Sequence, residues 1–115
     1  MGNHHTANIS LPYPYPVVLD ACARVLANTG FKVSTVDPTR GMIFAGRAMS
    51  LWSYGENVTV QVAQVAADAP CELQIRSALA FGLVDWGRNR KNVEKVLAAL
   101  TAFLEQHAAH RRPPG

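Results

Sequence analysis

The chain has 115 residues, of which 49% are hydrophobic and 17% are charged, and its net charge is +3. This length suits one domain with its own core, and the composition excludes an intrinsically disordered chain. No run of about 18 apolar residues could span a membrane, and the first ten residues lack the apolar stretch of a signal peptide, so we expect a cytoplasmic protein without a transmembrane segment.

The charge and the cysteines limit the classes of partner and cofactor. A pI near 9.2 permits contact with nucleic acid or anionic lipid but does not require it. Cys22 and Cys71 have no Cys-x-x-Cys spacing, so we predict two buried, reduced thiols. His107 and His110 are three residues apart, but no third metal ligand is evident near them, and we predict neither a metal nor a cofactor.

The N-terminal region combines a polar segment with a proline-rich segment. Residues 1–8 are small and polar, and we predict a flexible tail there. In the arm Leu11–Pro16, apolar or aromatic residues alternate with proline, which favours an extended chain that could form at most an edge strand. The arm either lies on the core through its tyrosines or is a proline-rich ligand for another domain.

A helix and four strands follow in the pattern of the chain. Pro16 suits the first turn of a helix, and Gly30 can end that helix in the left-handed conformation. Alternating apolar residues then predict four strands, with a sharp turn at Asp37–Gly41 and another at Ala66–Pro70. The predicted strands are Phe31–Val36, Met42–Ala48, Val58–Val65 and Cys71–Leu79.

The longest predicted element is an amphipathic helix over Asp85–His107, with Asp85 as its N-cap. Its apolar stripe consists of Val93, Val96, Leu97, Leu100, Phe103, Leu104 and His107. Such a stripe must be buried, and the apolar face of the sheet is large enough to cover it. We therefore predict an α+β fold in which both helices pack on one face of a four-stranded antiparallel meander, a two-layer sandwich of order α-β-β-β-β-α.

This prediction makes residues 9–108 a single α+β domain, followed by a flexible basic tail over residues 109–115. Asn28-Thr29-Gly30-Phe31 ends a helix in glycine before an aromatic residue, and an Asp-turn-Gly-hydrophobic hairpin follows at Asp37–Ile43. Over Pro16 to about Leu104 this order resembles small uncharacterised bacterial domains, some of them in lipoproteins, although the chain has no lipobox cysteine. The resemblance implies a bacterial protein with a helix, a four-stranded meander and a helix, and it implies no site residue.

Basic residues cluster where the last helix begins. Arginines there oppose the helix dipole, which is a cost that an anion-binding site would explain. A solvated charged face, with Asp85 and Glu94 as counter-charges, is the alternative. The candidate anion-binding residues are Arg88, Arg90, Lys91 and Lys95, with Trp86 beside them to stack on a base or lie at a lipid interface.

Large apolar residues also occur in the loop between the second and third predicted strands. They either fold back on the core as a lid or form a contact surface for a protein partner or a second copy of the chain. These candidate interface residues are Met49, Leu51, Trp52 and Tyr54.

Catalytic motifs are missing from the sequence: no serine has a histidine and an acid at a recognisable spacing, and no phosphate-binding glycine pattern occurs. We therefore expect a non-enzymatic binding or assembly module that acts through protein–protein contacts, with a homo-oligomer or a protein partner. The alternative is an anion-binding module for nucleic acid or an acidic membrane surface.

Overall fold

A computed structural model of the chain describes residues 4–47, 56–79 and 88–111. It contains five strands and two helices. In chain order they are β1 (His4–Leu11), α1 (Tyr15–Asn28), β2 (Lys32–Asp37), β3 (Met42–Arg47), β4 (Glu56–Ala63), β5 (Cys71–Leu79) and α2 (Arg88–Arg111). The α+β class is confirmed, and the strand count is five rather than four. The predicted N-cap Asp85 lies outside the described residues.

One antiparallel sheet has the order β1-β5-β4-β3-β2, so β2 to β5 form the predicted meander and β1 adds a strand beside β5. Residues 4–8, predicted as a tail, form most of β1, in which Ile9 pairs with Leu73 and Leu11 with Cys71. Residues 4, 6, 8 and 10 face solvent and are polar, so the sequence of this segment resembles that of a flexible tail. The prolines at 12 and 14 follow the strand and so remove no hydrogen bond from it.

Helix α1 begins and ends as its sequence predicts. Pro16 lies in the first turn, where its missing N–H has no helical partner to lose. At the other end Gly30 adopts φ +97°, the left-handed conformation that closes a helix. The Thr29 hydroxyl donates a hydrogen bond of 2.9 Å to the carbonyl of Val25 and so satisfies part of the helix end.

The hairpin between β2 and β3 is held by a tight turn and contains a bulge. The Asp37 carboxylate accepts hydrogen bonds from the N–H groups of Thr39 and Arg40, at 3.2 and 3.3 Å. A β-bulge between Val33 and Thr35 shifts the register, so that Val36 pairs with Ile43.

Both helices contribute to one core on one face of the sheet. Helix α1 packs on β2, β3 and β4, helix α2 packs on β1 and β5, and the two helices contact each other. Of the predicted stripe of α2, Leu97, Phe103 and His107 are half-buried. The other four residues, Val93, Val96, Leu100 and Leu104, are buried in the core. Burial of each such side chain stabilises the fold by about 1.5–3 kcal/mol, so α2 is a principal anchor of the domain.

The opposite face of the sheet is mostly polar. The Ser10 hydroxyl on β1 lies 2.8 and 2.6 Å from the two carboxylate oxygens of Glu72 on β5 and donates its one hydrogen bond to this carboxylate. Phe44 is a large apolar residue on this side, with 41% of its surface exposed. Among the described residues, no helix is long and apolar enough to cross a membrane.

Candidate functional site

A cluster of polar side chains interrupts the apolar interior where β3, β4, β5 and α2 meet. Within the described part of the chain, three polar or charged residues are buried: Glu56 at 1% exposure, Ser77 at 0% and Asn92 at 7%. Arg47, the last residue of β3, reaches the same place. We call Arg47, Glu56, Ser77 and Asn92 the polar cluster.

Strand alternation brings the polar cluster together. Glu56 begins β4 and faces the core on the same side as Val58, Val60 and Val62, while Ser77 continues the inward row of Leu73 and Ile75 on β5. Arg47 pairs with Glu56, and Ser77 pairs with Val58, one inward position farther along β4. The three strand residues therefore meet at one end of the sheet.

The strongest interaction in the cluster is the ion pair of Arg47 and Glu56. Nη2 and Nε of Arg47 lie 2.6 and 3.0 Å from Oε2 of Glu56. The Glu56 side chain has 0% exposure and that of Arg47 has 30%. A carboxylate so completely removed from water is held by its cation, because an uncompensated buried charge is strongly unfavourable.

Asn92, in the second turn of α2, connects the ion pair to β5. Its Oδ1 accepts a hydrogen bond of 3.0 Å from Arg47, and its Nδ2 lies 3.5 Å from the hydroxyl of Ser77. Arg47 also donates to the carbonyl of Thr29 at 3.4 Å and lies 4.4 Å from the centre of the Phe31 ring. The cluster thus joins three strands, the start of α2 and the end of α1.

The sequence did not identify the polar cluster. Two signals were present: Glu56 precedes a row of inward valines, and Ser77 lies on the apolar side of β5. Within a single strand, one polar residue on the apolar side is common and does not indicate a site. The register of β3, β4 and β5 places them together, and that register cannot be read from one strand alone.

The predicted interface residues lie outside the described part of the chain, and the predicted anion residues Arg88, Arg90, Lys91 and Lys95 lie in the first turns of α2. Met49, Leu51, Trp52, Tyr54 and Trp86 lie outside the described residues, so their roles stay predictions.

The basic residues of α2 are placed as follows. Arg88 is the first residue of the helix, and Lys91 and Lys95 are exposed. Nε of Arg90 forms an exposed ion pair of 2.7 Å with Glu94, so one of the candidate anion ligands already has a carboxylate partner. The helix turn from Arg90 to Glu94 therefore matches the predicted solvated charged face as well as it matches an anion site.

A separate cavity of about 430 Å³ lies between α1 and α2. It is lined by Pro16, Val17, Asp20, Arg24, Phe103 and His107. Nε2 of His107 is buried and has no hydrogen-bond partner among the described residues. The Asp20–Arg24 ion pair at this cavity is 2.8 Å long and mostly exposed, so it adds little stability.

The two thiols are structural groups. Cys22 and Cys71 are free and buried, as predicted. Burial raises the pKa of Cys22 from 9.0 to about 12, with a further contribution from Cys71, and burial followed by the charge of Glu72 raises the pKa of Cys71. Because the thiolate is the reactive form, neither thiol is a nucleophile at neutral pH. Within residues 4–47, 56–79 and 88–111, no three metal-ligating side chains form a metal site.

Comparison with known proteins gives a fold and no family. No family model and no curated protein matches the chain. Its fold is similar to that of the di-domain ARO/CYC BexL of the BE-7585A biosynthetic pathway, with a TM-score of 0.65 and 18% identity over 89% of this chain and 46% of that one. DynU16 of the dynemicin biosynthetic locus is similar with a TM-score of 0.56 and 14% identity over 91% and 48% of the two chains.

A third similar structure, the Mll3558 protein from Rhizobium loti, is matched over most of both chains. It has a TM-score of 0.56 and 14% identity, and the match covers 86% of this chain and 94% of that one. By contrast, the chain spans about half the length of BexL and DynU16. These identities are low, so the likeness shows the fold: a small α+β domain shared with bacterial and biosynthetic proteins.

These neighbours correct the predicted function. The expectation of a non-enzymatic module acting through protein–protein contacts is wrong, because the solved structures that share this fold include the ARO/CYC BexL of a biosynthetic pathway and a protein of the dynemicin biosynthetic locus. The anion-binding alternative finds no support among them either. The expectation that the chain is not an enzyme is unsupported as well, since an aromatase/cyclase shares its fold.

Proposed function

We propose that this protein binds a small organic molecule between the sheet and α2, with the polar cluster as the polar end of the site. The observation that carries the proposal is the buried Arg47–Glu56 ion pair, hydrogen-bonded to Asn92 within an otherwise apolar interior. A fold shared with ARO/CYC BexL, a protein of a biosynthetic pathway, supports a small molecule as the partner.

A contribution to the stability of the fold does not explain why the polar cluster is present. Replacing a buried ion pair by apolar residues of similar volume is often neutral or stabilising, by up to about 4 kcal/mol. Breaking such a pair by removing one partner is costly, so a cluster of this kind is hard to assemble and is easily replaced by an apolar core. A ligand that forms hydrogen bonds with the polar groups of the cluster accounts for the presence of the cluster at the end of the sheet.

The neighbouring side chains define the chemistry of the ligand. Val58 follows Glu56 by two residues on the inward face, Ile75 precedes Ser77 by two, and Val96 lies one helical turn after Asn92. The Ser77 hydroxyl and the Asn92 amide can donate hydrogen bonds to oxygen atoms. The chemistry of the site therefore suits an apolar ligand that carries hydroxyl or carbonyl oxygens.

An NMR titration tests the proposal directly, because a 12.5 kDa chain gives resolved amide signals. The ¹⁵N-labelled protein is titrated with 2-naphthol and, separately, with 2-methylnaphthalene, which has the same rings without the hydroxyl group. We expect saturable shifts at Glu56, Ser77 and Asn92, and tighter binding of 2-naphthol. Shifts confined to the α1–α2 cavity, at Val17 and His107, or no saturable shifts, would overturn the proposal.

Two serine variants separate the site from the rest of the sheet. Ser77→Ala removes the buried hydroxyl and is expected to weaken 2-naphthol binding by roughly fivefold, the worth of one ordinary hydrogen bond. Ser10→Ala removes a hydroxyl on the outer face, where Ser10 donates to Glu72, and serves as the matched control. Equal affinities of the two variants for 2-naphthol would show that Ser77 is not part of the binding site.

A further inference from the structure

We infer that the cavity between α1 and α2 is a second binding site, for a small apolar alcohol or phenol whose hydroxyl group pairs with His107. The inference goes beyond the proposed function, because this cavity and the polar cluster have no residue in common. The juxtaposition that carries it is a buried ring nitrogen on a cavity of about 430 Å³. This nitrogen, Nε2 of His107, has no hydrogen-bond partner among the described residues.

The unpartnered nitrogen indicates which polar group the ligand carries. A polar atom that is removed from water and makes no hydrogen bond is unfavourable, and most buried polar atoms in folded proteins have a partner. A molecule that pairs with Nε2 of His107 removes this cost when it binds. A neutral imidazole donates from one nitrogen and accepts at the other, and a hydroxyl group does both. A hydroxyl group therefore pairs with Nε2 in either tautomer, whereas a carbonyl oxygen pairs with only one of the two.

The lining of the cavity indicates the body of the ligand. A volume of about 430 Å³ lies within the usual range of small-molecule pockets, roughly 300–1,000 Å³. Val17 of α1 and Phe103 of α2 line the cavity, are half-buried and pack against the core. Phe103 precedes His107 by four residues, so the two side chains lie on the same face of α2. An apolar body in the cavity thus contacts Val17 and Phe103 while its hydroxyl group pairs with His107.

The two charged residues of the lining favour a neutral ligand. Asp20 and Arg24 form an ion pair of 2.8 Å, and both side chains are mostly exposed. Because these charges are hydrated and paired with each other, they contribute little to the binding of a charged ligand. A single water molecule satisfies Nε2 less well than a ligand, since a buried water typically makes about three hydrogen bonds. Three of the six lining residues, Pro16, Val17 and Phe103, have apolar side chains.

The test compares phenol with toluene, in which a methyl group replaces the hydroxyl group. Each compound is titrated into the ¹⁵N-labelled protein, and the ring nitrogens of His107 are followed in long-range ¹H–¹⁵N spectra. We expect phenol to shift the Nε2 signal saturably and to bind about fivefold more tightly than toluene, as one ordinary hydrogen bond provides. His107→Phe keeps a ring, removes both nitrogens and should bind the two compounds equally. His4→Phe makes the same change at an exposed residue of β1 and should keep the wild-type preference.

Three outcomes would overturn the inference. They are a His107 Nε2 signal that phenol leaves unchanged, equal affinities of the wild-type protein for phenol and toluene, and a folded His107→Phe variant that keeps the wild-type preference. The Nε2 signal of the wild-type protein decides even if His107→Phe fails to fold. The proposed function has a separate readout, because the residues of the polar cluster do not line this cavity.

Discussion

Replacing Arg47 and Glu56 by apolar residues, singly and together, tests what the ion pair contributes to stability. The two single variants should differ, because the two side chains differ in exposure. Three variants are needed: Arg47→Met, Glu56→Leu and the double variant. The Glu56 side chain is completely buried, whereas 30% of the Arg47 side chain is exposed. Removing Arg47 therefore takes a cationic partner from a carboxylate that has no access to water, while removing the carboxylate leaves a cation that can still be hydrated.

This asymmetry sets the expected magnitudes. Arg47→Met should cost about 3–5 kcal/mol, the usual cost of breaking a buried pair. Glu56→Leu should cost about 1–2 kcal/mol, because Arg47 keeps water and its hydrogen bonds to Thr29 and Asn92. The double variant should lie within about 1 kcal/mol of the wild type, since no charge is left buried. At about 4 °C per kcal/mol, Arg47→Met should melt roughly 12–20 °C below the wild type.

Thermal and urea unfolding of the four proteins, followed by circular dichroism at neutral pH, measure these differences. The same four proteins are then titrated with 2-naphthol by NMR. We expect the double variant to keep its fold and to lose the preference for 2-naphthol over 2-methylnaphthalene. A double variant as unstable as Arg47→Met would refute the reasoning, because it would make the ion pair a requirement of the fold.

Four further predictions concern the fold. Gly41 has φ +68° and a Cβ there would collide with the carbonyl of Val62, so Gly41→Ala should cost at least about 2 kcal/mol, measured by urea unfolding. Leu100→Asp places a charge at a fully buried position of α2 and should abolish the cooperative melt; a midpoint near that of the wild type would contradict the packing of α2. Cys22 and Cys71 should not react with a thiol reagent at neutral pH until the protein unfolds. Because the pKa of Cys22 is about 12 when folded and 9.0 ordinarily, the unfolded state binds fewer protons between these values, so stability should be complete below pH 9 and fall by up to about 1.4 kcal/mol per pH unit above it.

The elements that the sequence identified are those whose signals are local. The stripe of α2 recurs every three or four residues, and the glycine that ends α1 needs only its own backbone angle. Strand β1 was missed because His4, Thr6 and Asn8 face solvent, and the inward residues before Ile9 are the polar His5 and the small Ala7. Residues 4–11 form a strand because they pair with β5, which lies about sixty residues later in the chain.

The polar cluster depends on distant parts of the chain in the same way. Arg47 and Glu56 meet by the register of β3 with β4, and Ser77 by the register of β4 with β5. No spacing within a single segment encodes this meeting. The basic start of α2 was more conspicuous in the sequence because Arg90, Lys91 and Lys95 are close together, yet one of them pairs with Glu94 on the helix surface.

Helix α2 explains how the core and the polar cluster depend on each other. Val93, Val96 and Leu100 hold the helix on the sheet, and Asn92 precedes the first of them by one residue. Successive residues in a helix are about 100° apart, so the rotation that buries the valines also brings Asn92 to the edge of the buried face. There its amide lies within hydrogen-bond distance of Arg47 and Ser77. The apolar stripe thus positions the polar residue, and a rotation of the helix that disturbed the core would also take Asn92 from the ion pair.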